Sequence, residues 1–65
     1  MRVIVNGEGA EVGATDLAAL LSEMDFPVTQ VAIAVNRRVV PRGRWSETAL
    51  AAGDRIEIIT PRQGG

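Results

Sequence analysis

The 65-residue chain contains no cysteine and no histidine. It therefore has no disulfide framework, and it lacks the side chains of the usual zinc sites. Tyrosine is absent too, so the commonest proton-transfer and nucleophilic groups are missing. We predict that the chain is not an enzyme, with no catalytic residues, no metal site and no bound cofactor. A chain of this length forms one small domain that depends on apolar packing.

Lysine is also absent, so all seven basic residues are arginine, and the formal net charge is −1. Acidic residues prevail in residues 1–30 and arginines in residues 31–65. Four arginines lie close together with no acid among them: Arg37, Arg38, Arg42 and Arg44. Such a cluster suits nucleic-acid phosphates or an acidic protein surface. With one tryptophan and one phenylalanine the chain has almost no platform for stacking bases, so we predict no nucleic-acid partner.

Long apolar runs are missing as well. No stretch reaches the ~20 residues that a helix needs to cross a bilayer, and no signal peptide is apparent. We therefore predict a soluble protein with no membrane partner and a cytoplasmic location.

The first half of the chain predicts a β-hairpin followed by a helix. Arg2–Asn6 is β-branched and apolar, Asn6-Gly7 is a strong hairpin signal, and Ala10–Val12 forms the return strand. A stripe of apolar residues at helical spacing follows. Its members are Leu17, Leu20, Leu21 and Met24. Thr15 is the predicted N-cap, Asp16 adds negative charge to the first turn, and Pro27 stops the helix.

The second half predicts three strands. Val31–Asn36 is a buried strand, a turn leads to a short strand at Val39 and Val40, and Arg55–Thr60 is the last strand. Between the last two, residues 42–50 are irregular or form one helical turn, with Trp45 at the edge of the core. In the last strand Ile56 and Ile58 share one face, while Glu57 and Ile59 share the other.

The predicted order is β-β-α-β-β-β in a single small chain. It indicates an α+β protein with the β-grasp fold, in which a mixed sheet of four to five strands is covered by one main helix. We expect residues 1–60 to form this domain and residues 61–65 to form a flexible tail that ends in Gly-Gly.

The tail suggests chemistry at the terminal carboxylate. Two glycines allow a backbone to enter a narrow channel without side chains, and the acid is then presented alone. A carboxylate is a poor electrophile until a second enzyme converts it to a mixed anhydride with AMP. Attack by sulfur would then give a thiocarboxylate, and the domain would carry sulfur between enzymes. An inert tail is the alternative, and the residues alone leave both possibilities open.

The whole chain resembles the ThiS family of sulfur carriers in thiamine biosynthesis. The resemblance rests on "VNG", "LAALLSEM", "AIAVNRRVVPRGRW", "AAGDRIEII" and the final "GG". The segment from Val35 to Trp45 is the most specific, and it favours this family over two relatives that share the ending. Those are the small subunit of molybdopterin synthase and the ubiquitin-like modifiers.

The resemblance implies a ubiquitin-like β-grasp fold and a role as substrate of other enzymes. It implies that Gly65 is adenylated and then thiocarboxylated, and that Gly64 threads the channel. The implied partners are an ATP-dependent, ThiF-like adenylyltransferase, which consumes the ATP, and a ThiG-like thiazole synthase, which receives the sulfur for the thiazole moiety.

Four residues are candidate partner contacts: Ile59, Pro61, Arg62 and Arg42. Ile59 and Arg42 could instead have purely structural roles, and the roles of Pro61 and Arg62 in the tail are open. Ile59 is equally compatible with the core, and Arg42 with an ion pair to a nearby acid. Pro61 and Arg62 differ from what is usual in the family's tails.

Overall fold

The computed structural model describes residues 1–26 and 31–59. Its strands and helices lie in the predicted order. They are β1 (Arg2–Val5), β2 (Glu8–Glu11), α1 (Leu17–Glu23), β3 (Ala32–Val35), β4 (Arg38–Val40), a 3₁₀ helix (Arg42–Glu47) and β5 (Arg55–Ile59). No helix within these ranges has the length and hydropathy needed to span a membrane.

The described strands form one mixed sheet in the order β2-β1-β5-β3-β4. β1 runs parallel to β5, and the other neighbouring pairs are antiparallel. The strand nearest the predicted tail therefore lies in the middle of the sheet, between β1 and β3. This arrangement confirms the predicted α+β β-grasp fold.

Two tight hairpins of the same design build the two edges of the sheet. In the first, Val5 pairs with Glu8, and the two intervening residues, Asn6 and Gly7, have φ of 51° and 85°. In the second, Val35 pairs with Arg38 across Asn36 and Arg37. Because each loop has only two residues, the second strand of the hairpin begins directly after it. β2 therefore begins at Glu8 rather than at the predicted Ala10, because the ladder resumes directly after the turn.

Helix α1 lies on one face of the sheet and supplies much of the core. Leu17, Leu20 and Leu21 are fully buried, as their helical spacing predicted, whereas Met24 is half-buried at the C-cap. Glu23 of α1 also holds the loop between β2 and α1, because its carboxylate accepts hydrogen bonds from the Gly13 and Ala14 amides. The predicted stop at Pro27 lies outside the described residues.

The N-cap of α1 is Asp16, so the prediction of Thr15 was wrong. The Asp16 carboxylate accepts a 2.8 Å hydrogen bond from the Ala19 amide. The Thr15 carbonyl instead accepts from the Leu50 amide at 2.9 Å, which ties this residue to the loop before β5. A contact across the chain thus sets the start of the helix.

Trp45 closes the core from the side of the 3₁₀ helix. It is 4% exposed, and its indole Nε1 donates a 2.9 Å hydrogen bond to the Val40 carbonyl. The other buried apolar residues are Val3, Val5, Val12, Ala14, Leu17, Leu20, Leu21, Ile33, Ile56 and Ile58. The predicted place of Trp45 at the core is confirmed, and burial leaves little of it for recognition by a partner.

The cap assignment predicts different costs for two adjacent substitutions. Asp16→Ala removes the acceptor of the Ala19 amide and should lower the free energy of unfolding by about 1 kcal/mol. Thr15→Ala keeps the backbone bond to Leu50 and should change it by less than about 0.5 kcal/mol. Urea unfolding of both variants measures the difference. Equal losses would contradict the assignment.

Candidate partner-docking surface

Strand β5 has one buried face and one exposed face. Ile56 and Ile58 are 1% and 5% exposed and lie against the core. Glu57 is exposed, and Ile59 is 59% exposed. The alternative that Ile59 belongs to the core is therefore wrong. The exposed position agrees with the candidate role of Ile59 in contacting a partner.

The side of the sheet opposite the core, which we call the outer face, carries small and apolar residues near Ile59. Ala32 is the registered neighbour of Ile59 on β3. One step along, Ala34 lies between Glu57 of β5 and Val39 of β4, and Val39 is 77% exposed. Small alanines between two exposed apolar side chains leave a shallow surface that another protein can approach closely.

The Asn6 side chain continues the pairing of β1 with β5 after β1 has ended. Its Oδ1 accepts a 2.8 Å hydrogen bond from the Ile58 amide, and the backbone amide of Asn6 donates to the Ile56 carbonyl at 2.9 Å. On the opposite edge of β5, the ladder with β3 extends to Ala32 and Ile59. Contacts on both edges thus fix the end of β5 at Ile58 and Ile59.

A second asparagine, Asn36, fixes the other end of β5. Its Oδ1 accepts from the Arg55 amide at 3.1 Å, and its Nδ2 donates to the Asp54 carboxylate at 3.1 Å. Asp54 also accepts from the Ala51 amide and so orders the turn before the strand. Sequence reasoning assigned turns to Asn6 and Asn36 but missed that both side chains hold β5. A Val-Asn pair at the end of β1 and again at the end of β3 was the available signal.

Arg42 is exposed on the 3₁₀ helix. Within residues 1–26 and 31–59, the one ion pair joins the Met1 ammonium to Glu11 at 3.2 Å. The alternative that Arg42 pairs with a nearby acid is thus not seen among these residues. Its exposure is compatible with the candidate role in partner binding.

The remaining candidate residues lie outside the described ranges: Pro61, Arg62, Gly64 and Gly65. The predicted tail, residues 61–65, therefore stays a prediction, as does its boundary with the domain. The structure places Ile59 and Arg42 on the exposed surface and shows that β5 is paired on both edges near Ile59.

The fold and the anchored end of β5 define a ubiquitin-like β-grasp domain. Comparison with known proteins gives the family. The ThiS family model matches residues 2–65. The chain therefore belongs to the ThiS family. This confirms the family predicted from the sequence.

Solved structures and relatives support the same assignment. The chain superposes on the crystal structure of a thiamine biosynthesis protein, ThiS, from Geobacter metallireducens with a TM-score of 0.85 and 29% identity, over the full length of both chains. The sulfur carrier protein ThiS of Escherichia coli is 27% identical, again over the full length of both.

The chain also resembles part of a larger kind of protein. It is 32% identical to a region of the thiazole synthase of Paramagnetospirillum magneticum and 37% identical to a region of that of Magnetococcus marinus. In both cases the match covers the whole chain but 20% of the relative. The chain thus spans about a fifth of the length of these relatives.

Proposed function

We propose that this chain carries sulfur as a thiocarboxylate on Gly65 and delivers it to a thiazole synthase. The observation that carries the proposal is the match to the ThiS family along residues 2–65. The regions of similarity within proteins named thiazole synthase support the choice of acceptor.

The chemistry requires a partner that activates the acid. A ThiF-like adenylyltransferase, with ATP as its substrate, joins the Gly65 carboxylate to AMP and releases pyrophosphate. A sulfur nucleophile then displaces AMP, and the resulting thiocarboxylate attacks the precursor of the thiazole ring on the ThiG-like synthase. The carrier itself needs no cofactor. Because activation consumes ATP, we propose the cytoplasm as the compartment.

Gly64 and Gly65 suit this route because a backbone without β-carbons passes through a narrow channel. The anchored end of β5 supports it further. The Asn6 contact to Ile58 and the pairing of Ile59 with Ala32 give the tail a fixed starting point. We propose that the partner docks on the outer face around Ile59, with Pro61, Arg62 and Arg42 as additional contacts.

The test is sulfur loading in solution. The chain is incubated with its adenylyltransferase, ATP and a sulfide source, and its intact mass is measured. We expect the mass change of one carboxyl oxygen replaced by sulfur, located at Gly65 by fragmentation. An unchanged mass with an active enzyme would contradict the proposal.

A strain that lacks the gene for this chain distinguishes the proposed role from the roles of molybdopterin-synthase small subunits and ubiquitin-like modifiers. Thiamine auxotrophy that thiazole alone relieves supports the proposal. A molybdoenzyme defect would indicate a molybdopterin-synthase-like carrier, and conjugates of high mass in lysates would indicate a protein modifier.

The docking face predicts a separation of binding from stability. Ile59→Ser removes an apolar side chain that is 59% exposed, so the free energy of unfolding should fall by less than about 1 kcal/mol. Affinity for the adenylyltransferase should fall about tenfold or more if Ile59 is one of the few residues that carry most of the binding energy of the interface. Calorimetric titration measures the affinity. Ala19→Ser, on the exposed side of α1, serves as the control and should bind normally.

A further inference from the structure

Arg37 occupies a backbone conformation that disfavours arginine. Its φ is 71°, in the left-handed region where a side chain crowds the backbone. The first hairpin has glycine at the equivalent position, Gly7, with φ of 85°. The two loops have the same length, and both begin with asparagine. Glycine would therefore satisfy the turn at Arg37 with less strain, and the turn itself gives no reason for the arginine.

A strained residue whose own turn does not require it suggests a functional role. Arg37 lines a shallow depression together with Asn36, Arg55 and Glu57. Arg55 and Glu57 alternate with the buried Ile56, so this depression opens on the outer face. It lies at the end of β5 opposite Ile59, because Val35 pairs with Ile56 while Ala32 pairs with Ile59.

Arg37 and Arg55 are both exposed residues. In the part of the chain that the structure describes, no carboxylate lies within 4.0 Å of either guanidinium group. Glu57 lines the same depression, yet it forms no ion pair with them there. Two arginines at one depression favour an anionic ligand, and the planar guanidinium matches a carboxylate by paired hydrogen bonds.

We propose that Arg37 and Arg55 bind an acidic side chain on the surface of the adenylyltransferase, so that the outer face contacts the enzyme at both ends of β5. The apolar contact is at Ile59, and the charged contact is at Arg37. This inference rests on the proposed function, since it takes the enzyme that receives the tail as the partner. Charge complementarity of this kind raises the association rate and fixes the orientation of docking.

A nucleic acid is the other class of anionic partner, and the structure favours it less. The single tryptophan is buried, and the single phenylalanine is half-buried against the core, so the outer face has no aromatic side chain on which a base could stack. The chain also carries a net charge of −1.

The test compares variants of the full chain in calorimetric titrations with the adenylyltransferase at low and at high salt. Arg37→Gly removes both the charge and the strain, whereas Arg37→Gln removes the charge alone. Arg55→Gln removes the second guanidinium. Arg44→Gln makes the same charge change on the 3₁₀ helix, away from the depression, and is the matched control.

At low salt we expect both Arg37 variants and Arg55→Gln to bind about tenfold more weakly, and Arg44→Gln to stay within about twofold of the unchanged chain. High salt should reduce these differences, because it screens the charges. Arg37→Gly should also unfold about 4 °C higher, while Arg37→Gln should not.

Three results would overturn the inference: unchanged affinity of the Arg37 variants, an equal loss for Arg44→Gln, or binding to single-stranded nucleic acid that Arg37→Gln abolishes. Sulfur loading of the unchanged chain is measured in parallel. If the enzyme neither binds nor loads that chain, the proposed function itself fails, and the inference fails with it. Normal loading with unaltered affinity of the variants overturns the inference alone.

Discussion

Removal of Gly64 and Gly65 should abolish sulfur loading completely and leave the stability of the domain unchanged. The proposed reaction needs the carboxylate of Gly65 at the end of a chain that fits a narrow channel, and truncation moves the acid to Gln63. Glycine has no side chain to bury, and the described core extends no further than Ile58. Intact mass after incubation with the adenylyltransferase, ATP and sulfide measures loading, and thermal unfolding measures stability.

The control for this truncation is Gln63→Ala, which keeps both glycines and the carboxylate. It should load like the unchanged chain. Sulfur incorporation into the truncated chain would show that the reactive group is not at Gly65. A large loss of stability on truncation would show that the last residues belong to the folded domain.

Leu20→Ala should destabilise the domain by about 3 kcal/mol, within the usual range of ~2–5 kcal/mol for a buried leucine. Leu20 is fully buried where α1 packs on the sheet, and the small core leaves few neighbours to fill the cavity. Domains of this size have a total stability of roughly 3–10 kcal/mol, so the variant should be partly unfolded at growth temperature. Urea unfolding followed by circular dichroism measures the loss.

Ser22→Ala is the matched control on the same helix, because Ser22 is exposed. It should change the free energy of unfolding by less than about 0.5 kcal/mol. A loss below about 1 kcal/mol for Leu20→Ala would mean that α1 does not cover the sheet as the structure shows.

The residue pattern was sufficient to predict the order of the elements. Helical spacing in Leu17, Leu20 and Leu21 and alternation in β5 are strong periodic signals, and each follows from the burial of one face. The first hairpin followed from Asn6-Gly7, whose chemistry suits positive φ. These features depend on local residues, which the sequence displays directly.

The features that were missed depend on contacts between distant parts of the chain. Thr15 and Asp16 are both good N-caps, and the choice between them is set by the bond from Leu50 to Thr15. The Asn6 side chain reaches Ile58, a residue 52 positions away. Contacts of this kind follow from the topology of the sheet.

The docking surface could be predicted only in part from the sequence. Alternation placed Ile59 opposite Ile56 and Ile58, yet it did not say which side of the sheet a helix covers. One helix covers one face, so the exposure of Ile59 could be established only from the fold. The residues of the proposed tail were predicted from their chemistry, and they lie outside the described ranges.

The central place of β5 has a consequence for synthesis on the ribosome. β1 is synthesised early, but its parallel neighbour is β5. The two hairpins therefore cannot join into one sheet until residues 55–59 have left the ribosome. A nascent chain that stalls before this point exposes the inner edges of two hairpins, which makes it prone to aggregate. Only a chain translated through β5 can complete the sheet, so the activating enzyme proposed above would meet a folded docking surface only on a finished product.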